Sequence, residues 1–376
     1  MKLLVTGGGT GGHINPAIAI AQYFKAEQPD IQILYAGTPN GMEARLVQKA
    51  GFDFAPIKVK GFSRSFAPQD ILHNISAVET ALLSKRRARA ILREFEPDIV
   101  IGTGGYVCGP VVAEAARMGI LTAVHEQNAF PGVTNRLLSH RVDRVFLAVE
   151  EARRNLDPKA VCEVVGNPVR ESVVFKSKAE ARKELGLDDR LCILSFGGSL
   201  GADTINRAGA DLIQWHYRQG LVNHIHGYGK LGREKFPRML AERGIDLTGN
   251  QDVRTLEFID QVDTCMAAAD LIVCRAGAIT ISEIEATGKP ALLIPSPNVT
   301  ENHQYHNAMV LVNKGAALIL EEKDYSAEAV VSIVKKLYGN RSMLADLSQN
   351  ASKLAILDTA KRIYDSMTAL LSERKR

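Results

Sequence analysis

Lys2-Leu3-Leu4-Val5-Thr6, followed at once by Gly7-Gly8-Gly9-Thr10-Gly11-Gly12-His13, is the stretch whose reading decides the fold. The first five residues are an apolar run of strand length. Pro16 then opens Ala17-Ile18-Ala19-Ile20-Ala21, a segment with good helix formers. Strand, glycine turn and helix start present backbone N–H groups and a positive helix end to a diphosphate. Glycine is required because a backbone without Cβ turns tightly and lets a phosphate-sized group approach.

The same loop fits G-x-G-x-x-G at Gly7, Gly9 and Gly12, the fingerprint of dinucleotide binding. A nicotinamide site wants an acid at the end of the second strand, about 20 residues on, to hold a ribose. Here that strand, residues 31–36, ends in Gly37-Thr38-Pro39-Asn40. The acid is missing, and His13 and Asn15 have no use in a dehydrogenase. The loop points away from NAD, and no cofactor is expected.

Working outward, 376 residues exceed one ordinary core and predict two domains of comparable size. No segment approaches the roughly 18 uncharged apolar residues of a spanning helix. The chain opens on strand one, without a basic-then-apolar leader, so a cytoplasmic protein is expected. Cys108, Cys162, Cys192, Cys265 and Cys274 form no C-x-x-C pair and read as reduced, packed thiols. A net charge of +4, without a ladder of aromatic and basic residues, gives no case for nucleic acid.

Strand-like and helix-like runs alternate from end to end, the pattern of parallel α/β units. Strands are expected near 2–6, 31–36, 53–58, 98–101, 121–124 and 144–147. In the second half they fall near 191–196, 221–227, 253–257, 271–274, 291–294 and 316–320. The halves echo one another. The run 191–196 leads into Gly197-Gly198-Ser199-Leu200-Gly201-Ala202, and 98–101 leads into Gly102-Thr103-Gly104-Gly105. Two doubly wound sheets would put their carboxyl ends, and their ligands, in a cleft between them. The hinge is expected near Val165-Gly166-Asn167-Pro168, and residues 343–376 are helical in pattern with a charged tail.

Six motifs, in order over essentially the whole chain, carry a resemblance. They are Gly8 to His13; His125-Glu126-Gln127-Asn128; Gly166-Asn167-Pro168-Val169-Arg170; Gly197 to Ala202; Cys274 to Ala278 with Ser282-Glu283; and His303-Gln304 with Asn307-Ala308. Together they resemble glycosyltransferase family 28, the N-acetylglucosaminyltransferases that convert lipid I to lipid II in peptidoglycan synthesis. The resemblance implies an α/β, GT-B fold of two Rossmann-like domains. Residues 1–164 would form the acceptor and membrane side, 165–344 the UDP-N-acetylglucosamine side, and a helix at about 345–376 would return to the first domain.

It also implies roles. Uracil would lie against backbone near Ile259, and the ribose hydroxyls on Glu283, within the run Ala278-Ile279-Thr280-Ile281-Ser282-Glu283. A capping acid in a first helical turn is the competing reading of Glu283. Gln304 and Asn128 would reach the donor sugar, with Thr10, Gly11 and Gly12. The family pattern has two adjacent amides where this chain has His303-Gln304, and Gln304 is taken as the contact. Its competing role is a surface amide capping the helix.

Physical chemistry gives the same outline. Sugar transfer breaks the anomeric bond with oxocarbenium character and leaves a diphosphate whose charge must be met. No Asp-x-Asp metal motif occurs in the chain. Helix N-termini behind the glycine loops, Ser199, and the guanidinium fork of Arg170 are the substitutes, and a metal-independent, inverting reaction is expected. His13 is the candidate base, because imidazole titrates near neutral pH. Binding phosphate or capping the helix is the alternative for His13.

Residues 70–95 place Ile71, Ile75, Val78, Leu82, Leu92 and Phe95 at steps of three and four. Lys85, Arg86, Arg87, Arg89 and Arg93 crowd the same stretch, which suits anionic headgroups. A helix covering a sheet would show the same stripe. The turns at 102–105, with Gly104 and Gly105, and at 61–65 would accept the acceptor's pyrophosphate. Expected partners are UDP-N-acetylglucosamine, lipid I, an anionic membrane at its cytoplasmic face, and other cell-wall synthesis proteins. A UDP-N-acetylglucosamine 2-epimerase, a dehydrogenase and a non-catalytic sugar-nucleotide sensor stay open beside the transferase.

Overall fold

The computed structural model describes residues 1–59 and 83–374. The chain divides into two units, Met1–Pro168 with Leu357–Arg376, and Val169–Ile356. Ile71, Ile75, Val78, Leu82, the turn 61–65 and the last two residues of the basic tail lie outside the described residues.

In the first unit β1 (Lys2–Thr6), β2 (Gln32–Gly37), β3 (Asp53–Pro56), β4 (Ile99–Gly102), β5 (Leu121–Glu126), β6 (Arg144–Leu147) and β7 (Cys162–Val164) form one sheet. Its order is β3-β2-β1-β4-β5-β6-β7, parallel throughout. Helices cover both faces, so β4 and β5 are buried at every position; β4 reads as an apolar run, whereas β5 carries Thr122, His125 and Glu126 into the interior. Successive side chains point to opposite faces. Leu3 and Val5 join Ala17, Ile20 and Phe24 of the helix Gly11–Glu27. Leu4 joins Ala88, Ile91, Leu92 and Val111 on the other side.

The second unit repeats the plan with β8 (Cys192–Phe196), β9 (Asn223–Gly227), β10 (Val253–Leu256), β11 (Leu271–Cys274), β12 (Ala291–Leu293) and β13 (Leu318–Ile319). The order is β10-β9-β8-β11-β12-β13. In each sheet the winding reverses beside the first strand, between β1 and β4 and between β8 and β11. That is where open α/β sheets bind ligands. All four of those strands run into the glycine-bearing turns picked out in the sequence.

Three local details differ from expectation. The helix after the first loop starts at Gly11, so Pro16 lies inside it. The missing donor costs one bond to the carbonyl of Gly12, an exposed residue whose carbonyl water can serve. The strand β7 is three half-buried residues at the sheet edge, too short and too polar to show a period. The C-terminal segment is two helices, Arg341–Leu354 and Thr359–Arg374.

The first of these helices packs in the core of the second unit through Leu344 and Leu347, and the second packs on the first unit. Ile363 and Met367 are fully buried beside Phe24, and the Tyr364 ring meets Phe24 edge-on with centroids 4.9 Å apart. Tyr364 also accepts a hydrogen bond from Gln28 Nε2 at 2.9 Å. Burying Ile363 and Met367 contributes about 1.5–3 kcal/mol each.

Candidate active site

At the carboxyl end of the first sheet the loop after β1 meets the loops after β4 and β5. Thr10 is the exposed residue ahead of the helix Gly11–Glu27, and Gly11, Gly12 and His13 form its first turn. Gly8 N donates to Gly104 O at 3.3 Å, and Thr103 Oγ1 donates to His13 O at 2.8 Å. Gly104 has φ +106°, and a Cβ there would fall 2.9 Å from Nδ1 and Cε1 of His13. Glycine is therefore what lets the imidazole lie against this turn. Thr10, Gly11, Gly12, His13, Gly104 and Gly105 are all brought together.

His13 is half-buried, and its Nδ1 lies 3.0 Å from Gln127 Oε1. Gln127 belongs to the turn after β5 that also carries Asn128. Glu126, 1 % exposed, shapes that turn. Its Oε1 accepts from Asn128 N at 2.9 Å and Asn128 Nδ2 at 3.1 Å, and its Oε2 from Gly132 N at 3.0 Å and Asn135 Nδ2 at 2.8 Å. Four donors satisfy the buried carboxylate and fix where Asn128 is presented. His125 is fully buried, which pushes its imidazole below the usual range.

In the second unit Arg170 Nη2 and Glu283 Oε1 are 3.1 Å apart. The arginine side chain is 60 % exposed and the carboxylate 10 %. Burial raises the Glu283 carboxyl above its ordinary value, and Arg170 opposes that shift. The helix holding Glu283 is Ala278–Thr287, with no acid in its first turn. The capping reading of Glu283 is thereby corrected, since the residue lies beyond the first turn, too deep in the helix to cap its N-terminus. Ile281 and Ser282 turn inward on the same helix.

Ser199 is exposed in the loop after β8, where its carbonyl accepts from Lys230 N at 3.1 Å. Gly201 closes that loop with φ +81°; a Cβ there would strike the Tyr228 carbonyl at 2.1 Å. Ile259 packs over Gly227 at the end of β9, where a Cβ would come 2.8 Å from its Cδ1. Gln304 Oε1 accepts from Ser296 N at 2.9 Å, so its Nε2 remains the donor. His303 turns back on its own turn, Nδ1 donating to Thr300 O at 2.8 Å. Of the two neighbours, Gln304 is held by the loop after β12.

Sequence reading overlooked Glu43. It follows β2, in the helix Met42–Lys49, and is wholly buried. Its Oε1 accepts from Thr38 N at 3.0 Å and from the Thr38 hydroxyl. A Cβ on Gly8 would come 2.7 Å from that oxygen, so the carboxylate backs the glycine loop. An acid does stand near the end of β2, but it faces inward and braces the turn. Burial pushes the Cys108 and Cys192 thiols up to about 12 and Cys265 up to about 11, which removes them as nucleophiles.

Residues 83–95 are helical, with Ala88, Ile91 and Leu92 in the sheet's core and Phe95 packed beside them. Over this half, the apolar stripe covers the sheet. Lys85, Arg86 and Arg87 are exposed, whereas Arg89 pairs with Glu114 at 2.5 Å. Arg117 also holds Glu114, at 2.7 Å, and its carboxyl falls to about 2. Lys85, Arg89, Arg117 and Arg141 surround a pocket of about 510 Å³ with Glu114 as its acid. Among the described residues, no group of His, Cys, Asp and Glu is placed to hold a metal ion. No helix among them is long and apolar enough to cross a membrane.

Paired Rossmann-like sheets with glycine turns at both switch points define a GT-B glycosyltransferase architecture. Residues 3–147 match the glycosyltransferase family 28 N-terminal domain and residues 192–363 the glycosyltransferase family 28 C-terminal domain. The chain belongs to this family. It is 41 % identical over 375 residues to a protein of Acetivibrio thermocellus, covering 100 % of this chain and 99 % of that one. That relative is named UDP-N-acetylglucosamine–N-acetylmuramyl-(pentapeptide) pyrophosphoryl-undecaprenol N-acetylglucosamine transferase. A relative from Ruminiclostridium cellulolyticum with the same name is 40 % identical, covering 97 % of this chain and 98 % of its own. The crystal structure of MurG from Acinetobacter baumannii superposes with a TM-score of 0.77 at 28 % identity, covering 98 % and 99 %. A UDP-N-acetylglucosamine 2-epimerase structure from Listeria monocytogenes, 14 % identical with a TM-score of 0.70, covers 99 % and 97 % and shares the fold alone.

Proposed function

We propose that this chain transfers N-acetylglucosamine from UDP-N-acetylglucosamine to the C4 hydroxyl of the muramyl sugar of lipid I, giving lipid II. The observation that carries this reading is the full-length likeness, near 40 %, to relatives bearing that transferase name. The second unit takes the donor. Uracil lies against the backbone at Ile259, Glu283 accepts from the ribose hydroxyls, and Gln304 and Asn128 meet the sugar. Thr10, Gly11 and Gly12 complete the donor contacts.

The acceptor oxygen attacks C1 from the face opposite UDP, and the configuration inverts. As the new C–O bond forms, the old one breaks with its electron pair on the diphosphate. The acceptor's proton passes to His13. Charge on the leaving group is met by Arg170, Ser199 and the N–H groups at the start of the helix Ala278–Thr287. Arg170 is already tied to Glu283 before the charge develops, which supports a reaction needing no metal. Gly104 and Gly105 take the acceptor's pyrophosphate. Lys85, Arg86, Arg87 and Arg89 face anionic lipid at the cytoplasmic side of the membrane.

The test is a transfer assay with a soluble lipid I analogue in excess chelator, with the product's anomeric configuration read by NMR. Undiminished turnover to the inverted product supports the proposal. Retention of configuration, or activity that returns only with a divalent ion, contradicts it.

A further inference from the structure

We propose that Gln127, itself held by His125, is a positioning residue that fixes His13 with its proton on Nδ1 and its lone pair on Nε2. The inference rests on the reading of His13 as base and deepens it by naming the nitrogen that takes the proton.

The chain of donors and acceptors admits one direction. Gln127 Nε2 lies 3.0 Å from Thr103 O and 3.0 Å from His125 O. Two carbonyl oxygens accept and cannot donate, so the amide nitrogen must face them; a flipped side chain would set oxygen against oxygen. Oε1 is then the atom 3.0 Å from His13 Nδ1, and an amide oxygen there demands an N–H. The His125 ring agrees. Its Nε2 lies 2.9 Å from Gly166 O and must donate, leaving Nδ1 an acceptor 3.0 Å from Gln127 Nε2, whose two hydrogens serve Thr103 O and, shared between them, the carbonyl and Nδ1 of His125. Burial keeps that ring neutral. The result runs from His13 Nδ1–H through Gln127 and His125 to the Gly166 carbonyl, with every member's role set by a backbone carbonyl.

Geometry holds the other side as well. Thr103 Oγ1 ties down the His13 carbonyl, and the ring lies against Gly104, where a Cβ would stand 2.9 Å from it. In the reaction the acceptor's O–H proton moves to Nε2 while the C1–O bond to the sugar forms and UDP leaves with its electron pair. The imidazolium keeps Nδ1–H on Gln127 Oε1, whose negative end offsets the new charge. Loss of the Nε2 proton to solvent restores the base.

The experiment records ¹⁵N spectra of the full-length protein labelled at histidine, above pH 7.5, with His13 assigned by its loss in His13→Ala. The expected spectrum shows a protonated Nδ1 and a bare Nε2. Gln127→Met, similar in volume but without an acceptor, should lose that tautomer and lower kcat by roughly tenfold to 10²-fold, with acceptor KM nearly unchanged. Gln127→Glu should restore Nδ1–H and move the acid limb of the kcat profile to higher pH, because a carboxylate favours the imidazolium. A proton on Nε2 of His13 in the unmodified protein overturns the proposal, and that reading needs no variant to fold. An unchanged tautomer in Gln127→Met overturns it too. The turnover of His13→Ala judges the base assignment separately: a loss under about tenfold removes the base, while the spectrum still decides the relay.

Discussion

Arg170 Nη2 and Glu283 Oε1 stand 3.1 Å apart at the carboxyl end of the second sheet, joining an exposed guanidinium to a nearly buried carboxylate. They come from positions 113 residues apart. The proposed function gives the first to the diphosphate and the second to the ribose, so one ion pair would hold both parts of a single nucleotide in register.

Removing the acid should therefore weaken donor binding more than folding. Arg170 is exposed enough for water to solvate it when Glu283 is gone. Glu283→Ala is expected to raise the donor KM by about tenfold to 10²-fold, the range for a charged hydrogen bond. Steady-state kinetics beside thermal melting checks this; an unchanged donor KM contradicts it.

A second expectation concerns pH and a buried cluster in the same unit. Ser195 Oγ lies 2.8 Å from His224 Nε2 and 2.7 Å from His226 Nδ1, and His224 Nδ1 is 3.0 Å from His216 Nε2. Burial lowers His216 to about 4 and His226 to about 3, with His224 lowered as well. The unfolded chain binds these protons near pH 6.5, and the folded one refuses them. Stability is thus full above about pH 6.5 and declines as pH falls toward 4, by up to ~1.4 kcal/mol per pH unit for each histidine. Melting temperature from pH 7.5 to 5 reads it out. The slope should flatten in His216→Asn, and an equal slope in that variant contradicts the assignment.

The returning helix makes a third test. Ile363 is fully buried among Phe24 and the sheet's side chains. Ile363→Ala should cost about 2–5 kcal/mol by loss of contact and the cavity left behind. Denaturant titration measures this, and a cost below about 1 kcal/mol would mean the helix is not part of that core.

Charge reversal tests the membrane surface. Arg86 and Arg87 are exposed, and a basic side chain near an anionic leaflet contributes about 1 kcal/mol. Arg86→Glu with Arg87→Glu should weaken sedimentation with anionic vesicles at least tenfold, while Arg89→Glu would also disturb Glu114 and so tests less cleanly. Unaltered vesicle binding would move the contact elsewhere.

The fold was legible because its signals are local. Lys2 to Thr6 and residues 191–196 are apolar runs followed directly by glycine turns, and such pairs repeat at both switch points. What escaped the sequence is non-local or faint. Glu43 sits past the strand end where an acid was sought, and only the fold shows that it braces Gly8 from within. The tie between His13 and Gln127 spans 114 positions, which no period or spacing can reveal. The strand β7 has three residues, and the break between the last two helices contains neither glycine nor proline.

One measurement bears most directly on the whole account: release of UDP from UDP-N-acetylglucosamine by the purified protein, with and without a lipid I analogue. The account predicts release that depends on the acceptor and matches, mole for mole, the disaccharide product formed. Equal release without acceptor, or conversion of the donor to its 2-epimer, would contradict it.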